Sequence, residues 1–260
     1  MPATPAWPPR SAPRLFVAQR LEQDATVVLD GGQASYLGRV MRVRAGDAVI
    51  LCDDQTGEWA AEVVSADKRN VDLKIVRQLR QRESVPDFWL CPALLKKDRF
   101  DWVLEKATEL GAACIAPMIT RRCVADKLNL DRARTLLTEA AEQCARTALP
   151  ELRAPEKLDA LLRDWPADRT LYFADEELAE PRQSHDEERE AAAFAPRSSA
   201  KAAVLIGPEG GFDEAERAAI LALPQAIPLS LGPRILRAET AAIAATTLWM
   251  AQAGDWGQRE

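Results

Sequence analysis

The sequence predicts an α/β protein, a mostly parallel sheet covered by helices on both faces, preceded by a small β-barrel. Three observations carry this. From residue 88 onward, short apolar runs alternate with helix-periodic segments over roughly 170 residues, the pattern of a parallel sheet. Before residue 77 the chain offers several short strands joined by polar turns and room for one helix, the pattern of a small barrel. Between them, residues 77–87 are polar and basic and read as a boundary. The expected organisation is a disordered Pro-rich tail over 1–13, a barrel over 14–80 and an α/β domain over 87–254.

The tail carries Pro2, Pro5, Pro8, Pro9 and Pro13 and reads as lying outside any fold. In the barrel, Leu15-Phe16-Val17 and Thr26 to Leu29 read as strands. Ala48 to Cys52 runs into the polar turn Asp53 to Gly57 and returns over Glu58 to Val64. Val71, Leu73 and Ile75 alternate with Asp72 and Lys74, the period of a half-buried strand. Residues 34–42 read as the one helix, with Arg39 and Arg42 three apart on one face. Beyond the boundary, Phe88 to Leu95 reads as a strand. Phe100, Val103, Leu104, Ala107 and Leu110 recur at helical spacing up to Gly111, a C-terminal glycine stop. Cys114 to Ile119 reads as one strand, Leu130 to Cys144 as a long helix, and Leu171 to Ala174 as a strand entering an acidic stretch. Ala202 to Ile206 and Ile227 to Leu231 are the last strands. Asp213 and Glu216 form a capping box for the helix between them. The helix from Ala238 to about Gln252 is apolar nearly all round, which predicts burial on every side, within one subunit or against a second.

Composition narrows the function. The lone histidine, His185, excludes His-rich metal sites and disfavours a Ser-His-Asp triad. Five scattered cysteines without a C-x-x-C pair disfavour structural zinc and a disulfide framework, and fit a reducing cytosol. Neither a membrane-spanning run nor a secretory h-region is present, so the expected location is cytoplasmic, with no membrane and no metal. The net charge of -6 is not uniform. Residues 164–190 hold ten acids against three bases, so the rest of the chain is close to neutral, and residues 1–82 carry twelve bases against ten acids. A nucleic-acid partner is compatible with this pattern, whereas coating by bulk charge is not.

In open α/β sheets, ligands bind beyond the carboxyl ends of the strands. Three such ends carry unusual chemistry: Ala174-Asp175, Gly207-Pro208-Glu209-Gly210-Gly211, and Leu231 to Arg237. Neither G-x-x-x-x-G-K-[ST] nor G-x-G-x-x-G occurs, and Glu209 would repel a phosphate. An acidic Gly-rich turn suits a neutral or cationic ligand, although the same residues could simply make a tight strand-to-helix turn.

Leu205-Ile206-Gly207-Pro208-Glu209-Gly210-Gly211-Phe212, followed by Leu231-Gly232-Pro233-Arg234-Ile235-Leu236-Arg237-Ala238-Glu239-Thr240-Ala241, resembles the paired signature of the RsmE family. These are S-adenosylmethionine-dependent methyltransferases of the SPOUT class that modify uridine N3 in 16S ribosomal RNA. Arg14 to Val17, Leu37 to Arg42, Glu105 to Gly111 with Pro117, and Glu142 to Arg146 with Pro150-Glu151 agree with it, so the likeness spans about Arg14 to Trp249. The Pro-rich tail and the acidic stretch after Asp175 depart from the family pattern. So do Ser35-Tyr36, where a His is frequent, and Ala238, where a Thr is common.

The resemblance implies a PUA-like RNA-binding barrel, a SPOUT domain with a C-terminal trefoil knot, a homodimer, S-adenosyl-L-methionine as cofactor and 16S rRNA or the small ribosomal subunit as partner. Backbone groups of Ala174, Gly207 to Gly211, Leu231 and Leu236 are expected to hold the cofactor, with Asp175, Pro208, Glu209, Gly232 and Thr240 in the same site. Arg14, Arg39 and Arg42 are the expected RNA contacts. Uridine N3 is protonated at neutral pH, so the reaction needs a base, a cation for the uracil anion, or both. Arg237 and Arg146 are the candidate cations, and Glu239 and Glu142 the candidate bases. Glu142 and Arg146 are four apart on a predicted helix face. Two other functions compete, a non-catalytic RNA-binding or assembly factor that keeps the fold, and a metabolic enzyme using a nucleotide cofactor. The missing phosphate loops and the basic barrel disfavour the latter.

Overall fold

The computed structural model describes residues 7–67, 69–175 and 201–257. The first six residues and the acidic segment 176–200 lie outside the described residues. The chain forms two compact units, Met1–Ser84 with Ala141–Leu149, and Val85–Ala140 with Pro150–Glu260.

The first unit is built on a five-stranded sheet. Its strands are β1 (Arg14–Phe16), β2 (Thr26–Leu29), β3 (Ala48–Cys52), β4 (Gly57–Ala66) and β5 (Val71–Gln81), in the order β1-β3-β4-β5-β2. Only the β1–β3 pair is parallel; the others are antiparallel. Alternate residues point inward, so Val71, Leu73 and Ile75 join Leu21, Leu37 and Leu51 in one core. Residues 7–13, read from sequence as lying outside the fold, are tied to it. Trp7 accepts from Arg77 Nη2 at 2.9 Å and Pro13 from Ile50 N–H at 2.8 Å, because proline lacks the donor but keeps the carbonyl.

The helix predicted over 34–42 is different in kind. Helix α1 (Gly31–Ser35) continues as a π-helical turn, Tyr36–Met41, which ends at Arg42 with φ of 55°. Arg39 and Arg42 therefore do not share a helix face, since the left-handed Arg42 lies past the last turn. Both are exposed.

The second unit carries the sheet that positions the site. Its strands are β6 (Phe88–Pro92), β7 (Cys114–Ile115), β9 (Glu151–Leu152), β11 (Thr170–Ala174), β12 (Ala202–Ile206) and β13 (Ala226–Leu229). They run in the order β13-β11-β12-β6-β7-β9, all parallel. The expected strand Cys114–Ile119 is split. Pro117 cannot donate to a ladder, so β8 (Met118–Ile119) leaves the main sheet and pairs with β10 (Glu156–Lys157) instead. Period-two alternation divides the strand residues between two cores. Phe88, Leu90, Tyr172, Val204 and Ile206 face helices α2 (Lys97–Leu110) and α6 (Ala238–Gln252). Cys91, Leu171, Phe173, Ala203 and Leu205 face α4 (Leu158–Arg163) and α5 (Glu214–Leu221).

The predicted helix ends are present. Gly111 stops α2 at φ 101°, with Ala112 N–H reaching back to Ala107 O at 2.9 Å. Asp213 caps α5 reciprocally with Glu216. Helix α3 (Leu130–Cys144) ends differently from expectation. Ala145 takes φ of 61° and Arg146 N–H returns to Ala141 O at 3.0 Å, so Arg146 lies beyond the helix and does not share a face with Glu142. Helix α6 is also not buried on every side of the chain. Ala241, Ala242, Ala245 and Trp249 are buried, Trp249 stacking on Phe88 at 4.5 Å between centroids, while Ile243 and Ala244 are half-buried and Leu248 is exposed.

At the amino ends of the strands the sheet is sealed. Arg169 is buried, paired with Asp87 at 2.7 Å, and lies with Arg153 over the Trp89 ring. The carboxyl ends open into a cavity.

Candidate active site

The cavity, about 250 Å³, lies beyond the carboxyl ends of β11, β12 and β13, which are adjacent at one end of the sheet, β13 being its edge. Phe173, Ala174 and Asp175 form one wall. Ile206 to Glu209 with Gly211 and Phe212 form the second. Leu229, Leu231, Gly232 and the run Arg234 to Ala238 close the third, with Ala241 of α6. Two of the glycines are there for backbone reasons, Gly211 at φ 68° and Gly232 at φ 101°. Gly207 is there for space, because a Cβ on it would stand 2.9 Å from the Phe212 ring, which packs edge-on against Phe173.

Apolar wall surface alternates with placed charge. Asp175 is buried and takes Arg217 Nη2 at 2.7 Å and Nε at 3.1 Å. Glu209 takes Arg99 Nη1 at 2.7 Å. Arg99 Nε stands 3.8 Å from Glu239 Oε1. Glu239 is buried in the first turn of α6, and its Oε2 finds no hydrogen-bond partner among the described residues. Arg237 is the N-cap of that helix and is exposed at the cavity wall. No cysteine among the described residues lines the cavity; away from it, burial pushes the Cys52 and Cys114 thiols up to about 12. Among the described residues no cluster of His, Cys, Asp and Glu could hold a metal ion, and no helix is long and apolar enough to cross a membrane.

Most of the residues picked out in the sequence converge. Ala174, Asp175, Gly207, Pro208, Glu209, Gly211, Leu231, Gly232, Leu236 and Arg237 all line the cavity. Gly210 and Thr240 do not. Gly210 turns toward Arg122, and Thr240 is exposed on the outer side of α6. Glu239 sits behind the wall against Arg99. Glu142 and Arg146 belong to the first unit. There Glu142 Oε1 accepts the Phe16 N–H at 2.8 Å, and Arg146 is buried, its guanidinium pushed down from its ordinary value by burial. Arg14 is engaged by Glu58 at 2.6 and 2.9 Å.

The sequence patterns gave no role to Arg99 and Arg217 on or around the wall or to Arg121 and Arg122 behind it, and placed Phe212, Arg234 and Ile235 in the signature segments without a role of their own. One signal was available. Lys97 and Arg99 sit in the first turn of α2, where the helix dipole disfavours cations, so a carboxylate partner from elsewhere was required.

The comparisons agree with this geometry. A family model described as an RNA methyltransferase domain matches residues 82–250, and one described as an RNA methyltransferase PUA domain matches 29–76. The ribosomal RNA small subunit methyltransferase E of a Synechocystis strain is 32% identical over 235 residues, covering 88% of this chain and 74% of the relative. That of Rickettsia conorii is 27% identical over 235 residues, covering 89% and 92%. Among solved structures, a ribosomal RNA small subunit methyltransferase E from Neisseria gonorrhoeae bound to S-adenosyl methionine superposes with a TM-score of 0.82 at 26% identity, covering 94% of this chain and 99% of that one. A Legionella pneumophila protein described as a methyltransferase in complex with SAM gives 0.81 at 29% identity, with the same coverage. With the methyltransferase model spanning most of the chain and these relatives spanning nearly all of it, the protein belongs to the ribosomal RNA small subunit methyltransferase E (RsmE) family.

Proposed function

We propose that this protein methylates N3 of a uridine in 16S ribosomal RNA of the small subunit, using S-adenosylmethionine. The observation that carries the reading is the convergence of both signature segments on one cavity, with Arg237 on its wall. The cavity fits such a cofactor. Ile206, Leu229, Leu231 and Leu236 offer apolar surface for a purine. Asp175 and Glu209, held by Arg217 and Arg99, offer oriented carboxylate acceptors to hydroxyl or amine groups of a ligand, and neither phosphate-loop motif occurs in the sequence. Backbone of 207–211 and 231–236, opened by Gly211 and Gly232, would hold it, and when bound it supplies an electrophilic methyl group.

The chain's own residues then do three things. Arg237, exposed beside the cavity, donates to the developing uracil anion, where a guanidinium fork stays charged. Of the two candidate bases we keep Glu239, in the first turn of α6 beside the cavity; its carboxylate is buried behind the wall against Arg99, so it takes the N3 proton only after turning outward, while Glu142 supports β1. The exposed Arg39 and Arg42 of the first unit contact RNA phosphates; Arg14 is engaged by Glu58 and contributes through that unit's structure. Assembly as a homodimer is supported by the exposed Leu248 and the half-buried Ile243 and Ala244 of α6. A cytoplasmic location follows from the proposed substrate.

The test is incubation of pure protein with labelled S-adenosylmethionine and either 16S rRNA or small subunits from a strain lacking the activity, followed by mass mapping. One methyl group on N3 of a single uridine is expected. RNA binding without methyl transfer would favour the non-catalytic assembly factor.

A further inference from the structure

The loop after β8 lies along the Gly-rich segment from outside the cavity. Arg122 Nη1 donates to the carbonyl of Gly210 at 2.7 Å and to that of Phe212 at 3.2 Å. Arg121 Nη1 donates to Asp213 at 2.7 Å. The backbone N–H of Arg121 donates to Glu216 Oε1 at 2.8 Å, while the other oxygen of that carboxylate takes the Asp213 N–H at 3.1 Å. The residue between the two bonded carbonyls, Gly211, holds φ at 68° and lines the cavity, as does Glu209 on the other side of Gly210. Gly210 itself is not on the wall. A Cβ on it would stand 3.3 Å from the Arg122 Cβ and 3.5 Å from its Cδ. The small residue at 210 lets Arg122 approach this closely.

From this contact we infer that Arg122 is a positioning residue for the methyl-donor loop, holding residues 208–212 in the one shape that puts Glu209 and Gly211 on the cavity wall. The inference rests on the reading of the cavity as the S-adenosylmethionine site. The physical need is plain. The segment 207–211, with three glycines in five residues, samples many backbone states, and each must be given up when a ligand binds. A guanidinium bonded to two carbonyls two residues apart in that loop removes part of that freedom beforehand, and preorganisation of this kind appears as affinity. Arg122 touches the outer side of the loop only, so it acts on donor binding and not on methyl transfer.

The experiment titrates S-adenosylhomocysteine into the full chain by calorimetry, alongside KM and kcat for S-adenosylmethionine. Arg122→Ala is expected to weaken binding about threefold to tenfold, since its two charge-assisted hydrogen bonds lie at an exposed site and are partly screened by water. The KM should rise in step, with kcat at saturating donor within about twofold of wild type. Arg122→Lys, which reaches one carbonyl and not two, should recover part of the loss. Arg121→Ala, whose side chain bonds the helix cap and not the loop carbonyls, should cost less than Arg122→Ala. Gly210→Ala should weaken binding in the wild-type background and add nothing in the Arg122→Ala background, because the bonds it displaces are already gone. Thermal unfolding of each variant separates loss of fold from loss of binding, and a folded Arg122→Lys variant with intermediate affinity supports the proposal even where Arg122→Ala unfolds. Wild-type affinity in folded Arg122→Ala, or full additivity with Gly210→Ala, overturns it. Absence of binding by the wild-type protein overturns the reading of the cavity itself, a separate outcome.

Discussion

Two glycine-containing segments line the same cavity, yet they are held in different ways. The segment 207–213 is pinned from behind. Arg99 takes Glu209, Arg122 takes the carbonyls of Gly210 and Phe212, and Arg121 takes Asp213. The segment 231–237 has no such clamp among the described residues. Gly232 N–H meets Ser230 Oγ at 3.3 Å, a Cβ on Gly232 would meet nothing within 4 Å, and Arg234, Ile235 and Arg237 are exposed, Ile235 by 74%. The difference teaches a division of labour. The pinned segment is a preformed wall, suited to a ligand that binds the same way every time. The open segment keeps its charged side chains free to meet a second, larger reactant.

The largest effect should come from the open segment and should appear in rate. Arg237→Ala is expected to lower single-turnover methylation by ~10²–10³ with donor affinity nearly unchanged. Arg237→Lys keeps the charge and loses the fork, so it should recover only part. If donor affinity falls in step with rate, Arg237 belongs to the donor wall and the division between the segments fails.

The next effect should come from the pinned segment and should appear in affinity. Gly211→Val forces a β-branched residue into φ of 68°, a strain of about 1–2 kcal/mol that the surrounding clamps prevent from relaxing. Calorimetric titration should show donor binding weakened about tenfold or more. Gly232→Ala sharpens the contrast. Its backbone is also left-handed, but open space surrounds it, so the segment can shift and the loss in the same titration should be only a few-fold. Equal losses at the two glycines would mean that pinning has no energetic consequence.

The smallest effect concerns pH. The Asp213 carboxyl is held below the usual range by the N–H of Glu216 and then by Arg121. A lowered carboxyl contributes fully above its ordinary value, about 3.9, and its contribution is lost as pH falls through the lowered value. Donor affinity is therefore expected to stay flat between pH 8 and 5 and to decline only below about pH 4. A fall already at pH 6, read by the same titration, would show that another group controls the pinned wall.

Much of this was legible in the chain itself, and the reasons are local. The strands of the second unit read correctly where period-two alternation had two buried faces to report, as in Ala202 to Ile206. Gly111 and the Asp213–Glu216 box marked helix ends because capping is settled within four residues. The prediction of ligand chemistry at three strand ends needed only the rule for parallel sheets. The errors are equally instructive. Cys114 to Ile119 was read as one strand because both halves are apolar, although Pro117 sends them to different sheets. Glu142 and Arg146 were read as a helix pair because nothing in the composition announces an alanine in the left-handed region at 145. The helix over 34–42 is present, but Arg39 and Arg42 do not share its face, because a π-helical turn keeps the same apolar residues while changing which positions align.

By itself, then, the sequence determined the α/β class, the strand ends that form the cavity and the glycines that open it, since each is a matter of neighbouring residues and backbone sterics. The tertiary structure alone decided which charges serve that cavity. Arg122 meets Gly210 across 88 residues of chain and Arg99 meets Glu209 across 110. Partners so far apart are chosen by where separate strands and helices come together in the fold, and no pattern within either segment records that choice. The same holds for Gly210, a signature glycine whose protein neighbour is an arginine from another loop.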